Sequence, residues 1–151
     1  MSGRHPRPSP QSQQAALAAR LPAQPGTYVL LLACARQRQC AIGRLGRVTL
    51  QPGIYAYVGS ALGPGGLRGR LKHHLAAAPR PRWHIDWLRR ASEPVAVWLQ
   101  ASPQRQECAW ATLLAERATP VASGFGSSDC HCRTHLFYLQ RAQRSSLYAQ
   151  L

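Results

Sequence analysis

The feature that most limits how this chain can fold is an apolar run at 28–35, set directly after Pro25-Gly26. A membrane-crossing helix needs about 20 such residues, so the run is far too short to span a bilayer. Its valine and leucine content after a Pro-Gly break predicts a buried strand over 27–34. Residues 39–42 and 47–50 flank Gly43-Arg44-Leu45-Gly46 and predict a hairpin. Pro52-Gly53 then turns the chain into a second main strand at 54–58. On that strand Tyr55 and Tyr57 point to one face by the two-residue period.

Helices are expected at 67–78, with Leu67, Leu71, Leu75 and Ala78 as the apolar stripe, and at 82–91 after Pro79-Arg80-Pro81. A strand at 94–100 follows. Ser102 as N-cap, with Pro103 at the first helical position, predicts a further helix ending near 118, just before Pro120. A glycine and serine loop leads to a last strand at 135–139. This order gives an α+β fold, a small mixed β-sheet with helices packed on it and a hairpin at 39–50 inserted between the two main strands.

The 151 residues suit one ordinary domain. The body is expected at 25–139. Before it, residues 1–24 are rich in Pro, Gln, Ser and Ala and read as a disordered leader, with a short helix near 13–21. Residues 140–151 form a C-terminal tail.

Nineteen basic residues face five acidic ones, and all the basic residues but Lys72 are arginine. The body alone carries fourteen basic against five acidic groups, a charge of +9, so the excess is not confined to the ends. A folded body this positive sits on a polyanion, and the arginine fork suits phosphate. Nucleic acid is therefore the expected partner, and no membrane is expected. Five cysteines make an odd count with no secretory signal before them, which points to the cytoplasm rather than a disulfide framework. Cys130, His131, Cys132 and His135 are zinc-type ligands, but one CxC without a second cysteine pair favours a structural loop.

Gly26-Thr27-Tyr28, Tyr57-Val58-Gly59 and the helix segment Leu67-Arg68-Gly69-Arg70-Leu71-Lys72-His73-His74 together resemble the GIY-YIG nuclease pattern. Trp83-His84-Ile85-Asp86 and Gly124-Phe125-Gly126-Ser127-Ser128-Asp129-Cys130 more specifically resemble its Uri-type branch. The resemblance covers roughly 25–139. It departs from the pattern in three places. Thr27 replaces the isoleucine, 29 positions separate Tyr28 from Tyr57, and residues 63–66 add a short insertion before the helix. Gly53-Ile54-Tyr55 spells the first motif literally, but it lies too close to Tyr57 to occupy a separate strand and is read as a decoy.

The resemblance implies a metal-dependent endonuclease that hydrolyses phosphodiester bonds of nucleic acid, with DNA the expected substrate. Carried over by residue, Tyr28, Tyr57, Arg70 and His74 are the catalytic candidates and Glu107 the metal ligand, with Mg²⁺ (or Mn²⁺) as cofactor. Arg68, Lys72 and His73 are the nucleic-acid-binding candidates. Tyr28 would be the base towards water, its pKa lowered by Arg70 or the metal, with Tyr57 orienting it.

Residue spacing agrees in part. Arg70 and His74 lie about 40° apart on a helix, along one edge of the leucine stripe. Glu107 shares a face with Ala111, Leu114 and Ala118, too deep in the expected helix to cap it, and so needs a cation or an arginine such as Arg70. Trp83 and Trp87 read as core residues, and Asp86 and Arg90 as an i,i+4 ion pair. A non-catalytic nucleic-acid-binding module on the same fold, and a structural or partner-binding domain, are the alternatives.

Overall fold

A computed structural model of the chain describes residues 19–76, 80–128 and 130–139. The expectations for most of the leader and its helix, for the tail, for the end of the first helix at 77–78 and for Asp129 lie outside these residues. The elements run in the order β1 (Gly26–Cys34), β2 (Arg38–Ala41), a 3-10 turn (Gly43–Leu45), β3 (Arg47–Leu50), β4 (Gly53–Ala61), α1 (Gly66–Leu75), α2 (His84–Leu88), β5 (Glu93–Ala101), α3 (Glu107–Ala115), β6 (Thr119–Pro120) and β7 (Leu136–Leu139).

Five strands form one sheet in the order β5-β1-β4-β7-β6, and β2 and β3 form a separate hairpin. The α+β class with an inserted hairpin is thus as expected. Strand direction is more uniform than expected, because all four ladders of the main sheet are antiparallel. The two-residue β6 had no signal of its own beyond the Pro120 break.

Alternation along β1 explains the layering. Tyr28, Leu30 and Leu32 enter one core with Tyr55 and Tyr57 of β4, Leu67, Leu71 and Leu75 of α1, and Ile85 and Leu88 of α2. Val29 and Leu31 enter the opposite core with Ala56, Val58, Phe137 and the α3 residues Ala111 and Leu114. The sheet therefore lies between α1, α2 and the hairpin on one face and α3 on the other. Leu67 and Leu71 are fully buried, which contributes about 1.5–3 kcal/mol each.

Three helices differ from expectation at their ends. Helix α1 stops at Leu75, with Ala76 already in extended backbone, and the two others differ for local reasons. The hydroxyl of Ser102 accepts the N–H of Gln104 at 3.2 Å, making a tight turn of its own. The helix consequently starts at Glu107 rather than near Ser102. Glu107 is thus a first-turn residue, where the helix dipole favours a carboxylate. The α2 helix is a single turn instead of 82–91, with the Asp86 carboxylate reaching back to the N–H groups of Arg82 (2.8 Å) and Trp83 (3.1 Å).

Helix α1 is anchored at both ends, which fixes the side chains it offers to the sheet. At its start the N–H groups of Leu67 and Arg68 donate to the carbonyls of Gln24 and Pro22, each at 2.9 Å. At its end the buried guanidinium of Arg89 donates to the carbonyls of His74 (2.7 Å) and Leu75 (3.1 Å), and to that of Ser92 (2.6 Å). A buried arginine is stable here because helix-end carbonyls lack intrahelical partners and each is satisfied by it. Among the described residues no helix is long and apolar enough to cross a membrane.

Candidate active site

Tyr28 of β1 stands opposite Gly59 of β4 in the antiparallel register. Its ring lies across that glycine, so that a Cβ at 59 would overlap the Tyr28 hydroxyl. Gly59 is thereby required by close approach, a physical reason for a glycine two residues after Tyr57. The Tyr28 hydroxyl ends 2.6 Å from Nε2 of His74. Both groups are buried, with 0% and 1% of their surface exposed. The Tyr57 ring completes a triangle, with centroids 6.3 Å from Tyr28 and 6.1 Å from His74.

The two signature stretches meet around this triangle. Phe125 packs edge-on against Tyr57 at 5.7 Å, and the N–H of Gly126 donates to Nδ1 of His84 at 2.8 Å. Gly126 has φ +67°, and a Cβ there would press on the Tyr57 ring at 3.0 Å. The loop around 124–126 can lie on Tyr57 only because that position is glycine.

Arg70 is half-buried, and its guanidinium lies 4.1 Å over the Trp83 ring. Stacking of this kind pre-orients the fork. Arg70, Glu107 and Asp86 all lie close enough to act on the protonation of both tyrosines. Trp83 and Trp87 are half-buried and pack against the core cluster of α1 and α2, as expected.

Protonation runs against one expectation. Arg70 does pull the Tyr28 hydroxyl towards ionisation, but burial and the neighbouring Tyr57 outweigh it and push the pKa well above the usual tyrosine value. Burial likewise raises Tyr57. His74 moves the other way, because burial, reinforced by Arg70, lowers it to about 3. The resting pair is therefore a neutral phenol donating to a neutral imidazole, which places the His74 proton on Nδ1. That nitrogen has no hydrogen-bond partner. It faces Oδ1 of Asp86 at 4.0 Å, beyond hydrogen-bond length but close enough to favour this tautomer.

Asp86 does not pair with Arg90. Arg90 stacks over Trp87 at 5.2 Å, while Oδ1 of Asp86 takes Nε2 of His73 at 3.0 Å. Burial alone would raise the Asp86 carboxyl, but the Arg82 and Trp83 N–H groups and His73 hold it below its ordinary value. His73 is consequently committed to a buried carboxylate instead of being free for a phosphate. Of the other nucleic-acid candidates, Lys72 is exposed, and Arg68 is exposed but donates through Nε to the Leu21 carbonyl at 2.7 Å.

Glu107 does not pair with Arg70. Its Oε1 lies 3.7 Å from Arg105 Nε and its Oε2 3.9 Å from His135 Nδ1, with 14% of the side chain exposed. A hard carboxylate at the rim of the tyrosine pair fits a divalent cation that keeps water and phosphate as its other ligands. His73, His74 and Asp86 form a second group with converging ligand atoms, but the His73–Asp86 and Tyr28–His74 hydrogen bonds already account for that arrangement.

The buried His74 makes stability acid-sensitive. The unfolded chain takes a proton on this residue near 6.5 and the folded chain only near 3. Stability is therefore undiminished above 6.5 and falls as pH drops through that window, by about 1.4 kcal/mol per unit. His84 and His135 are also lowered by burial and add in the same sense. Urea midpoints at pH 7.5 and 5.5 should differ, and the difference should shrink in His74→Gln; an equal difference in the variant would show that His74 is not the group responsible.

An α+β domain with a buried tyrosine–histidine pair, flanked by an arginine on one helix and a carboxylate on another, is the class that fold and site define. A model of the family described as Domain of unknown function DUF123 matches residues 27–150, and the chain belongs to that family. No curated protein and no solved structure matches the chain.

Proposed function

We propose that the protein is a metal-dependent endonuclease that hydrolyses phosphodiester bonds of nucleic acid, with DNA the expected substrate. The observation that carries this reading is the 2.6 Å contact between the Tyr28 hydroxyl and a neutral His74, ringed by Tyr57, Arg70 and Glu107. These are the residues that the resemblance to GIY-YIG nucleases singles out, and the fold gathers them from β1, β4, α1 and α3.

The raised pKa of Tyr28 decides how it acts as a base. It does not rest as a phenolate. It takes a proton from the attacking water as its own proton passes to Nε2 of His74, so no free phenolate is needed. Burial holds His74 a weak base in the resting site, and the negative charge of a bound phosphate would raise its pKa. The Asp86 carboxylate near Nδ1 holds the ring in the accepting tautomer and favours the imidazolium that forms. The water oxygen then bonds to phosphorus while the bond to the departing oxygen breaks. Arg70, held by Trp83, faces the charge that develops on the phosphoryl oxygens. A Mg²⁺ or Mn²⁺ ion bound by Glu107 would supply Lewis-acid neutralisation of the same charge.

Cleavage of single-stranded, duplex and branched DNA and RNA by purified protein, with Mg²⁺, Mn²⁺ or chelator, tests this. Metal-dependent nicking of any of them supports the reading. Tight binding without cutting under all conditions would leave a nucleic-acid-binding module instead. Binding itself should be electrostatic, given the +9 charge of the body. Raising salt from about 50 to 200 mM should weaken it by about a hundredfold, the release expected from roughly four neutralised phosphates. An affinity flat across that range would sink the polyanion assignment.

A further inference from the structure

Four ligand-type side chains meet next to the tyrosine–histidine pair but separate from it, with His135 beside Glu107. Cys108 stands in the first turn of α3, Cys130 and Cys132 in the loop before β7, and His135 immediately ahead of that strand. Their sulfur and imidazole nitrogen atoms all lie within 4.8 Å of one another, and Nε2 of His135 is 3.5 Å from Sγ of Cys130. We propose that Cys108, Cys130, Cys132 and His135 form a structural zinc site of the Cys3His type.

The donor set selects the metal. Three soft thiolates and an imidazole favour zinc over the hard cations that suit carboxylates. Tetrahedral zinc with bonds of about 2.3 Å to sulfur sets the sulfurs roughly 3.8 Å apart, within reach of small side-chain rotations from the present arrangement. Four protein ligands fill the coordination sphere and leave no position for water, which makes the ion structural rather than catalytic. Binding displaces the three thiol protons to solvent.

A second observation points to the same ligand. Nδ1 of His135 is buried and has no hydrogen-bond partner, and the nearest acid is Oε2 of Glu107 at 3.9 Å. A histidine that binds zinc through one nitrogen characteristically turns its other N–H to a carboxylate. Zinc on Nε2 fixes the proton on Nδ1, facing Glu107, and gives that atom its role.

The site would add a second anchor to a long loop that Phe125 against Tyr57 and the Gly126–His84 hydrogen bond already hold on one side. Between Pro120 and Leu136 the described residues contain no helix or strand, and a loop of this length inside a small domain is uncommon without an anchor. Zinc would tie that loop to α3 at the turn that carries Glu107. Sequence reading sees only the CxC and the nearby histidines, because the fourth ligand comes from a helix 22 residues earlier. His131, the other histidine of that stretch, is exposed and outside the group.

Metal content of the purified full chain tests the proposal, and it is read without nucleic acid, so it stands apart from cleavage. Native mass spectrometry should find one zinc per chain, lost with chelator. Cobalt(II) added to the stripped chain should give tetrahedral d–d bands and a charge-transfer band of three-thiolate intensity. Cys132→Ser should lose or sharply weaken metal binding, whereas Cys34→Ser, outside the cluster, should keep it. If Cys132→Ser does not fold, the thiolate count in the cobalt spectrum of the parent chain decides the matter. A folded chain that binds neither metal, a Cys132→Ser protein that binds as the parent does, or a stable disulfide among Cys108, Cys130 and Cys132 would overturn the assignment.

Discussion

Replacing Tyr28 by phenylalanine should lower cleavage by about a thousandfold, the middle of the range that a positioned general base supplies, while the chain still folds. The ring stays in its slot against Gly59, and only the hydroxyl is lost. That leaves Nε2 of His74 buried without a donor, a cost of about 1–3 kcal/mol, which thermal melting would register as a modest shift. Tyr55→Phe is the matched comparison. The Tyr55 hydroxyl accepts the Gln51 N–H at 2.7 Å, and its ring packs on Tyr138 at 5.1 Å. Its work is to hold the turn between the hairpin and β4, so this variant should lose about 1 kcal/mol of stability and keep most of its cleavage. Rates for the two variants, measured beside their melting curves, separate the roles. If Tyr55→Phe were the inactive one, the literal Gly53-Ile54-Tyr55 motif would be the working one.

Glu107→Gln should abolish metal-dependent cutting, a loss on the order of a thousandfold, and leave nucleic-acid binding intact or tighter. The argument is one of charge. Glutamine keeps the size of the side chain but offers a hard cation no negative oxygen. It also removes one repulsive charge beside the substrate phosphate. Both partners of the carboxylate, Arg105 and His135, lie at 3.7 Å or more, so no close ion pair is broken, and the fold should tolerate the change. Gel-shift affinity and cleavage rate measured on the same preparation give the comparison. A variant that fails to fold would instead make Glu107 a structural anion, and one that cuts normally would remove it from the metal site.

The parts of the molecule that could be read from sequence are those set by local pattern. The run at 28–35 becomes β1, as its valine and leucine content after Pro-Gly predicts, and the alternation of Tyr55 and Tyr57 puts both in one core. The four-residue spacing of Arg70 and His74 places both beside Trp83. What was not legible depends on partners distant in sequence. The start of α3 at Glu107 depends on the Ser102 hydroxyl serving its own turn. Asp86 lost Arg90 to Trp87 and took His73, a residue on a different helix. The direction of the Tyr28 shift is set by burial, which spacing does not reveal and which exceeds the pull of Arg70. Arg89 carries no sequence signal of its own as one arginine among many, yet it closes the end of the helix that carries His74.

The register of β1 has a consequence for how the chain is made. Gly26 pairs with Ala61 on one side and with Ala101 on the other. When β1 leaves the ribosome, neither neighbour exists, and both of its faces are apolar. The strand must wait for β4 and then for a further 40 residues before its second edge is covered. Pairings this distant slow folding, and an uncovered apolar strand is open to other chains in the meantime. The β2–β3 hairpin is finished before β4 emerges and contributes Cys40, Ile42 and Leu50 to the same core as Tyr28, Leu30 and Leu32. During synthesis it is the first element able to shelter that face, so shortening the 39–50 insertion should lower the yield of folded protein more than it lowers the stability of the molecules that do fold.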